Sequence, residues 1–425
     1  MTGSRANRCM SNAARRLAVG LAPVVVVLSA PSTVRAQAKA EPISIGTKTA
    51  IRSAILGESR PVWIHLPRNH GRLPARYPVI YLLDGDDHFT EVTGIVKRLA
   101  DAPRMPDAII VALPNTKDRT RDLTPPAASD SARFPFFEGG RDSVTQRFPT
   151  RGGADKLLAF ISQELVPWID ARYRTTPYRI LIGHSFGGLF VLNALGTHPD
   201  AFRAYISLSP SLWWDDGRYV STIERQLAQA NLNGRTLYMT TGGTELVNEM
   251  IEPAKALAGF LDRTKPAGFT WTYRVMPNET HGTNPHRSEY DALESIFAGY
   301  APPDSAIPAL FLRGDSVPLT AHLAAMSRRL GFEAPVPVET LAGWGQFLLS
   351  IKRVAEGMRL LRFCVSHAPG WPGGHDALAD GLAASGRKAD AVKEVERAIR
   401  LAVAIRDDQL PAYRKHLARL EAGKP

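Results

Sequence analysis

Cysteine is almost absent: the 425 residues contain two, Cys9 and Cys364. Cys9 falls in a leader-like N-terminal segment, so the rest of the chain holds Cys364 alone and cannot form an intramolecular disulfide. Cys364 sits in the helix-patterned MRLLRFCVSHA, where it reads as a small buried hydrophobe and not as a nucleophile. No zinc spacing of the HExxH kind occurs, so no metal is expected and a metal-dependent hydrolase has no support. No lysine/arginine block occurs either. The 52 basic residues are spread along the chain against 41 acidic ones, a pattern of solvated surface that argues against nucleic-acid binding and leaves only a weak preference for anionic partners.

Beyond residues 17–30, LAVGLAPVVVVLSA, no stretch is apolar enough to span a bilayer. Arg5, Arg8, Arg15 and Arg16 precede this run, and the small-residue pattern Val34-Arg35-Ala36 follows it. That layout predicts a cleaved secretory signal over residues 1–36 and a periplasmic or secreted protein. The alternative, a membrane anchor, is disfavoured because the run is shorter than the ~20 residues of a spanning helix and contains Pro23. Removing residues 1–36 lowers the formal charge from +11 to +6, so much of the basicity belongs to the leader.

With 44% hydrophobic residues the remainder is ordinary globular chain, and its length suggests one large domain with an appendage. After two early strands ending in VWIHLP, buried apolar runs (PVIYLLDG, DAIIVAL, YRILIG, AYISLSPSL, RTLYMTTG, TWTYRVMP) alternate with helical stretches to about Tyr300. This predicts an α/β fold, a mostly parallel sheet with helices on both faces, because parallel strands need helical crossovers. Ligands bind such sheets at the carboxyl ends of the strands. The long connection over residues 114–153 interrupts the alternation, and its Phe134, Phe136 and Phe137 suggest either a cap over that end or a mobile surface loop. Residues 303–425 turn to alanine, leucine and arginine in helical patterns. WGQFLLSIKRVAEGMRLL and LADGLAASGRKADAVKEV align at an offset of 34 residues, which predicts either a tetratricopeptide-like pair or a generic all-α appendage. The domain reading is therefore a signal at 1–36, an α/β domain at 37–302 and a helical region at 303–425.

The sharpest motif is GHSFGG, Gly183 to Gly188, between the strand YRILI and the helical GLFVLNAL. A strand-turn-helix of this kind pushes Ser185 out of the sheet and aims helix amides at developing negative charge. Serine needs a histidine base, and in this architecture the chain order is serine, acid, histidine. His281, directly after TWTYRVMPNET, takes the base position, with His286 as its nearest competitor; His88 and His198 are poorly placed, and His184 reads as packing support. Glu245 in GGTEL is the first carboxylate after RTLYMTTG and is assigned as the acid, ahead of Glu249 and Glu252; the alternative is that it caps or solvates the helix that follows. For an oxyanion the amide of Phe186 supplies one donor, and Gly85 or Asp86 after PVIYLLDG the other, with Asp86 assigned.

Together VIYLLDGD, RDLTP, GHSFGGLFVLNAL, SPSLWW and the late E-T-H-G resemble the putative esterase family of α/β-hydrolases, which includes esterase D-like and trilactone siderophore esterases. The resemblance spans roughly residues 42–300. It implies an α/β-hydrolase fold, catalytic roles for Ser185 and His281, and a place for Trp213 and Trp214 beside the substrate pocket. The acid is less uniform in that family, so Glu245 gains less from it, and the helical extension departs from minimal members.

The function expected is an exported serine esterase acting through an acyl-enzyme on a small-molecule ester of siderophore, feruloyl or short-chain type, without a cofactor. An acyltransferase on the same residues, and a non-catalytic interaction protein using the C-terminal helices for a partner or for self-association, are the rival readings. All chemistry is placed before Pro308, so a truncation there is expected to leave a soluble, competent core.

Overall fold

The computed structural model describes residues 42–116, 118–127, 129, 132 and 143–422. The leader and the cluster Phe134, Phe136 and Phe137 lie outside the described residues. By its contacts the chain divides after Ile43, and Ser44–Pro425 is a single compact unit.

Eight strands form one sheet in the order β1-β2-β4-β3-β5-β6-β7-β8. β1 (Thr47–Arg52) and β2 (Ser59–His65) are antiparallel to their neighbours; β3 (Tyr77–Leu83), β4 (Ile109–Leu113), β5 (Thr175–His184), β6 (Ala204–Leu208), β7 (Thr236–Gly242) and β8 (Thr270–Met276) run parallel. The apolar runs YPVIYLL, IIVAL and AYISL are buried at every position, which follows from having a helical layer on each face. Alternate residues of β3 feed different cores: Ile80 and Leu82 one, Val79, Tyr81 and Leu83 the other.

Helices α1 (Gly85–Asp101) and α5 (Asn284–Ile296) cover the first face, whereas α2 (Phe186–Thr197), α3 (Tyr219–Gln229) and α4 (Glu252–Thr264) cover the second. α2 is hydrophobic all round, FGGLFVLNAL, and ten of its residues are buried. α1 and α4 show apolar residues on one side only, as expected for helices with a solvent face. Among the described residues no helix is long and apolar enough to cross a membrane.

The C-terminal region is helical throughout, with Val317–Leu330, Val338–Ser350, Val354–His367, Pro372–Ala384, Lys388–Ile405 and Leu410–Glu421 as its longer helices. Those starting at Val338 and Pro372, and those starting at Val354 and Lys388, begin 34 residues apart. These helices share the first core with the sheet: Leu319, Phe332, Leu341 and Leu361 belong to the same buried cluster as Ile80, Ile180 and Phe297. Tyr178 of β5 is wedged between Phe297 and Phe332, with ring centroids 5.6 and 5.8 Å away. Polar contacts reinforce the seam. Arg72 pairs with Asp407 at 3.3 Å and also with Asp408, Asn69 donates to Glu339, and Arg329 donates to the Ala298 carbonyl at 2.6 Å. A cut near Pro308 therefore passes through a shared core, and the soluble, competent fragment expected from the sequence is not what this packing favours.

Two expected outcomes follow for stability. Removing the chain after Pro308 uncovers the apolar face around Tyr178 and Phe297, so the fragment should aggregate or melt well below the full chain in calorimetry. Phe332→Ala, which empties the wedge without a cut, should lower the unfolding free energy by about 3 kcal/mol in urea titration. A fragment as soluble and stable as the full chain would contradict the shared core.

Candidate active site

β5 ends in Gly183-His184 and α2 starts at Phe186, leaving Ser185 alone to turn the chain. Its backbone is left-handed, φ 60° and ψ −117°, a conformation that costs a non-glycine residue about 1–3 kcal/mol. The Ser185 amide donates to the Leu208 carbonyl at 2.9 Å, and the Ser185 carbonyl accepts from the amides of Leu189 and Ser211 at 3.0 and 3.1 Å. Glycine at 183 is a steric requirement: a Cβ there would stand 2.3 Å from the Gly187 carbonyl oxygen. The result is a serine hydroxyl held above the carboxyl edge of the sheet, 3.3 Å from the Ser211 hydroxyl.

Glu245 follows β7, and His281 lies in the turn after β8. The Glu245 carboxylate is buried, and its Oε2 meets His281 Nδ1 at 3.2 Å. Its other oxygen, Oε1, accepts from Ser209 Oγ at 2.5 Å and from the Gly242 amide at 2.6 Å. Asn284 at the start of α5 in turn donates to Ser209 Oγ at 2.7 Å and to Thr240 Oγ1 at 3.0 Å. A buried carboxylate must be compensated, and here both oxygens are: one by this fixed network, the other by the imidazole. Glu245 does not cap the helical segment behind it, which begins after Leu246. His286 points away, 3.3 Å from Glu91 and largely exposed.

His184 packs its ring between His281, 4.5 Å away by centroids, and His88, 5.6 Å away. Burial, with the His281 and His88 rings adding to it, lowers its pKa to about 3. It is therefore a neutral aromatic spacer at physiological pH, which matches the supporting role read from its position in the elbow.

Ser185, Glu245 and His281 line one cavity of about 490 Å³ together with Phe148, Phe186, Ser211, Trp213, Thr244, Leu246 and Met250. Phe186 lies at the centre of an aromatic wall, 5.5 Å from Phe148, 5.6 Å from Trp213 and 5.7 Å from Trp214. Of the two tryptophans Trp213 lines the cavity, whereas Trp214 stands behind it, fully buried, with its indole N–H donating to the Pro125 carbonyl at 3.1 Å. The Phe186 and Asp86 amides fall in the first turns of α2 and α1, where backbone N–H groups lack intrahelical acceptors. Those turns adjoin: a Cβ on Gly187 would lie 3.0 Å from Asp84 Oδ2. The Asp86 side chain is exposed and accepts from the Asn115 amide at 2.9 Å.

Several participants were given no role by the sequence. Ser209 and Ser211 lie in SPSLWW, where only the tryptophans were assigned, and Asn284 is an ordinary polar residue until the sheet brings it to Ser209. Among the described residues of the long 114–153 connection, Phe148 reaches the cavity. Asp84 precedes α1 with a left-handed backbone, φ 51°, and is held by Arg119 through Nε–Oδ1 at 2.5 Å and Nη2–Oδ2 at 2.9 Å. Burial works against the Arg119 charge, but the Asp84 carboxylate outweighs it and holds the guanidinium above its ordinary pKa. Within RDLTP, Asp122 takes Arg60 of β2 at 2.5 Å, so that motif braces the antiparallel edge of the sheet and does not face the cavity.

Comparison with known proteins covers the same region. The family model described as "Putative esterase" matches residues 53–291, more than half the chain. The ferri-bacillibactin esterase BesA of Bacillus subtilis is 34% identical over 183 residues, which is 41% of this chain and 61% of the relative. A siderophore triacetylfusarinine C esterase of Aspergillus fumigatus is 35% identical over 156 residues, 34% of this chain and 47% of the relative. The chain thus spans only about half to three fifths of these curated relatives. An IroE-like serine hydrolase from Shewanella oneidensis, solved by crystallography, superposes with a TM-score of 0.63 at 26% identity, covering 76% of this chain and all of the other. With an eight-stranded mostly parallel sheet, a left-handed serine elbow and a family match across the domain that carries them, the chain belongs to the putative esterase family of α/β-hydrolases.

Proposed function

We propose that the protein is an exported serine esterase that cleaves a siderophore-type carboxylic ester through an acyl-enzyme. The observation that carries this reading is the convergence of Ser185, His281 and a buried, fully compensated Glu245 on one largely apolar cavity. The leader over residues 1–36 supports export, and the names of the curated relatives support the substrate class.

In the proposed reaction the Ser185 hydroxyl rotates from Ser211 toward His281, which accepts its proton as Oγ attacks the ester carbonyl carbon. Glu245 holds the imidazole by Nδ1 and stabilises the imidazolium. The amides of Phe186 and Asp86 are the donors assigned to the oxyanion. His281 returns the proton to the departing alkoxide, so the alcohol leaves with that hydrogen and the acyl group stays on Ser185. Water, deprotonated by the same histidine, then releases the acid. The aromatic wall of Phe148, Phe186 and Trp213 favours an aryl or extended apolar acyl part over acetyl.

Ser185→Ala should reduce kcat/KM for an activated ester by about 10⁴-fold or more while the circular dichroism spectrum stays unchanged. A fluorophosphonate probe should label the wild type at Ser185, read by peptide mass spectrometry. Near-normal turnover by the variant would sink the reading.

His281→Ala should be as damaging as loss of the serine, and Glu245→Gln should cost roughly 100-fold less than either, because the acid orients the base without touching substrate. Against pH, the acid limb of kcat/KM should fall with a slope of one: His184 stays neutral down to about pH 3 and takes no proton in that window. A slope of two would show two imidazoles titrating together.

For specificity, a panel of trilactone siderophore, feruloyl and short-chain nitrophenyl esters should rank the siderophore ester first by about tenfold or more in kcat/KM. Preference for the acetyl ester would leave an esterase with a different substrate.

A further inference from the structure

Behind the catalytic histidine, on the face of the sheet opposite α2, two helices present the same short pattern to each other. α1 carries His88-Phe-Thr-Glu91 and α5 carries His286-Arg-Ser-Glu289. An i,i+3 spacing puts each histidine and glutamate on one side of its helix, and α1 packs directly on α5. His88 Nδ1 lies 2.5 Å from Glu91 Oε1 and 3.7 Å from Glu289 Oε1, and His286 Nδ1 lies 3.3 Å from Glu91 Oε2. One donor atom each from His88, Glu91 and Glu289 fits within a span of 4.8 Å.

Glu289 is the unusual member. It is 1% exposed, and its Oε2 is buried without a hydrogen-bond partner. A second carboxylate, Glu91, is its neighbour in the cluster. Glu91 already has an imidazole against each of its oxygens, His88 and His286, whereas Glu289 meets His88 only at 3.7 Å through Oε1 and its Oε2 has no partner.

We propose that His88, Glu91 and Glu289 form a binding site for one divalent transition-metal ion of the zinc class, outside the cavity that holds Ser185. Donors on one tetrahedral ion with bonds of about 2.1 Å stand about 3.4 Å apart. The 3.7 Å separation is already close to that, and the short His88–Glu91 contact needs to open by about 1 Å. Mixed imidazole and carboxylate donors suit zinc better than magnesium or calcium, which prefer all-oxygen shells. The exposed His286, 3.3 Å from Glu91, marks the solvent side of the cluster. The ion would bind Glu289, place positive charge beside the two glutamates and tie α1 to α5. Because His88 meets the His184 ring edge-on and His184 packs at a tilt against His281, it would also stiffen the row of rings beside the base.

An HExxH spacing puts two histidines on one helix; here α1 supplies His88 and Glu91 and α5 supplies Glu289, so no local spacing betrays the site. The site goes beyond the proposed esterase reaction and does not depend on it.

The test is calorimetric titration of the full chain, stripped with chelator, with zinc chloride. The expected result is one ion per chain with Kd of about 1 μM or tighter, a raised melting temperature, and, with cobalt in place of zinc, visible absorption of a low-coordinate N/O site. Glu289→Gln, which keeps shape and hydrogen-bonding capacity, should weaken binding by at least about 100-fold and abolish the metal-dependent melting shift. Should that variant fold poorly, His88→Asn serves the same purpose. Absence of saturable one-to-one binding, or binding unchanged in folded Glu289→Gln or His88→Asn protein, would overturn the assignment.

Discussion

The left-handed backbone at Ser185 is the constraint around which the carboxyl edge of the sheet is arranged. Strain of about 1–3 kcal/mol at one residue persists only where its surroundings over-determine it, and they do. The Ser185 amide and carbonyl are both tied, to β6 and to the turn beyond it, while the glycines flanking the serine allow α2 to start directly against the strand end. Two neighbouring strands also end in a residue with positive φ, β3 at Asp84 with φ 51° and β6 at Ser209 with φ 42°. Each of these left-handed residues carries a side chain that matters to the site: Asp84 anchors Arg119, Ser185 faces the cavity, and Ser209 binds Glu245.

Buried charge is the second organising force. Asp84 and Glu245 are both nearly inaccessible, and each is compensated differently. Asp84 has a bidentate arginine, a full opposite charge; Glu245 has neutral donors on one oxygen and a titratable ring on the other. A permanent cation beside Glu245 would compete with the imidazolium that the proposed reaction must form. Neutral donors hold the carboxylate in place and leave its charge available to His281.

The two faces of the sheet have different tasks. The α2 face holds the cavity and its aromatic wall, and the α1–α5 face holds the row of histidine rings, the Glu91–Glu289 cluster and the docked C-terminal helices. Asn284 links them: it opens α5 on one face, yet its amide fixes Ser209 and so Glu245 at the site. Movement of α5 would therefore be felt at His281 through Asn284 as well as through the row of rings.

Local pattern alone determined the sheet and the elbow. β3, β4 and β6 were legible as apolar runs because burial on both faces leaves few polar positions to blur the signal, the half-exposed edge strand β8 was legible from its place in the strand-helix alternation, and GHSFGG between strand and helix marked Ser185 because only small residues tolerate that turn. Chain order after β7 and β8 pointed to Glu245 and His281. What the tertiary structure alone decided are the contacts between residues far apart in sequence. Phe148 was chosen to line the cavity from a long connection, Trp213 and Trp214 were separated into lining and support, Ser209 and Asn284 were recruited to the carboxylate, and Glu289 was buried beside His88. The same holds for the C-terminal helices: their amphipathic pattern announced an apolar face, but only packing revealed that this face shares the core of the sheet around Tyr178 and Phe332. A periodic pattern reports which side of an element is apolar; it carries no information about which distant element will cover it.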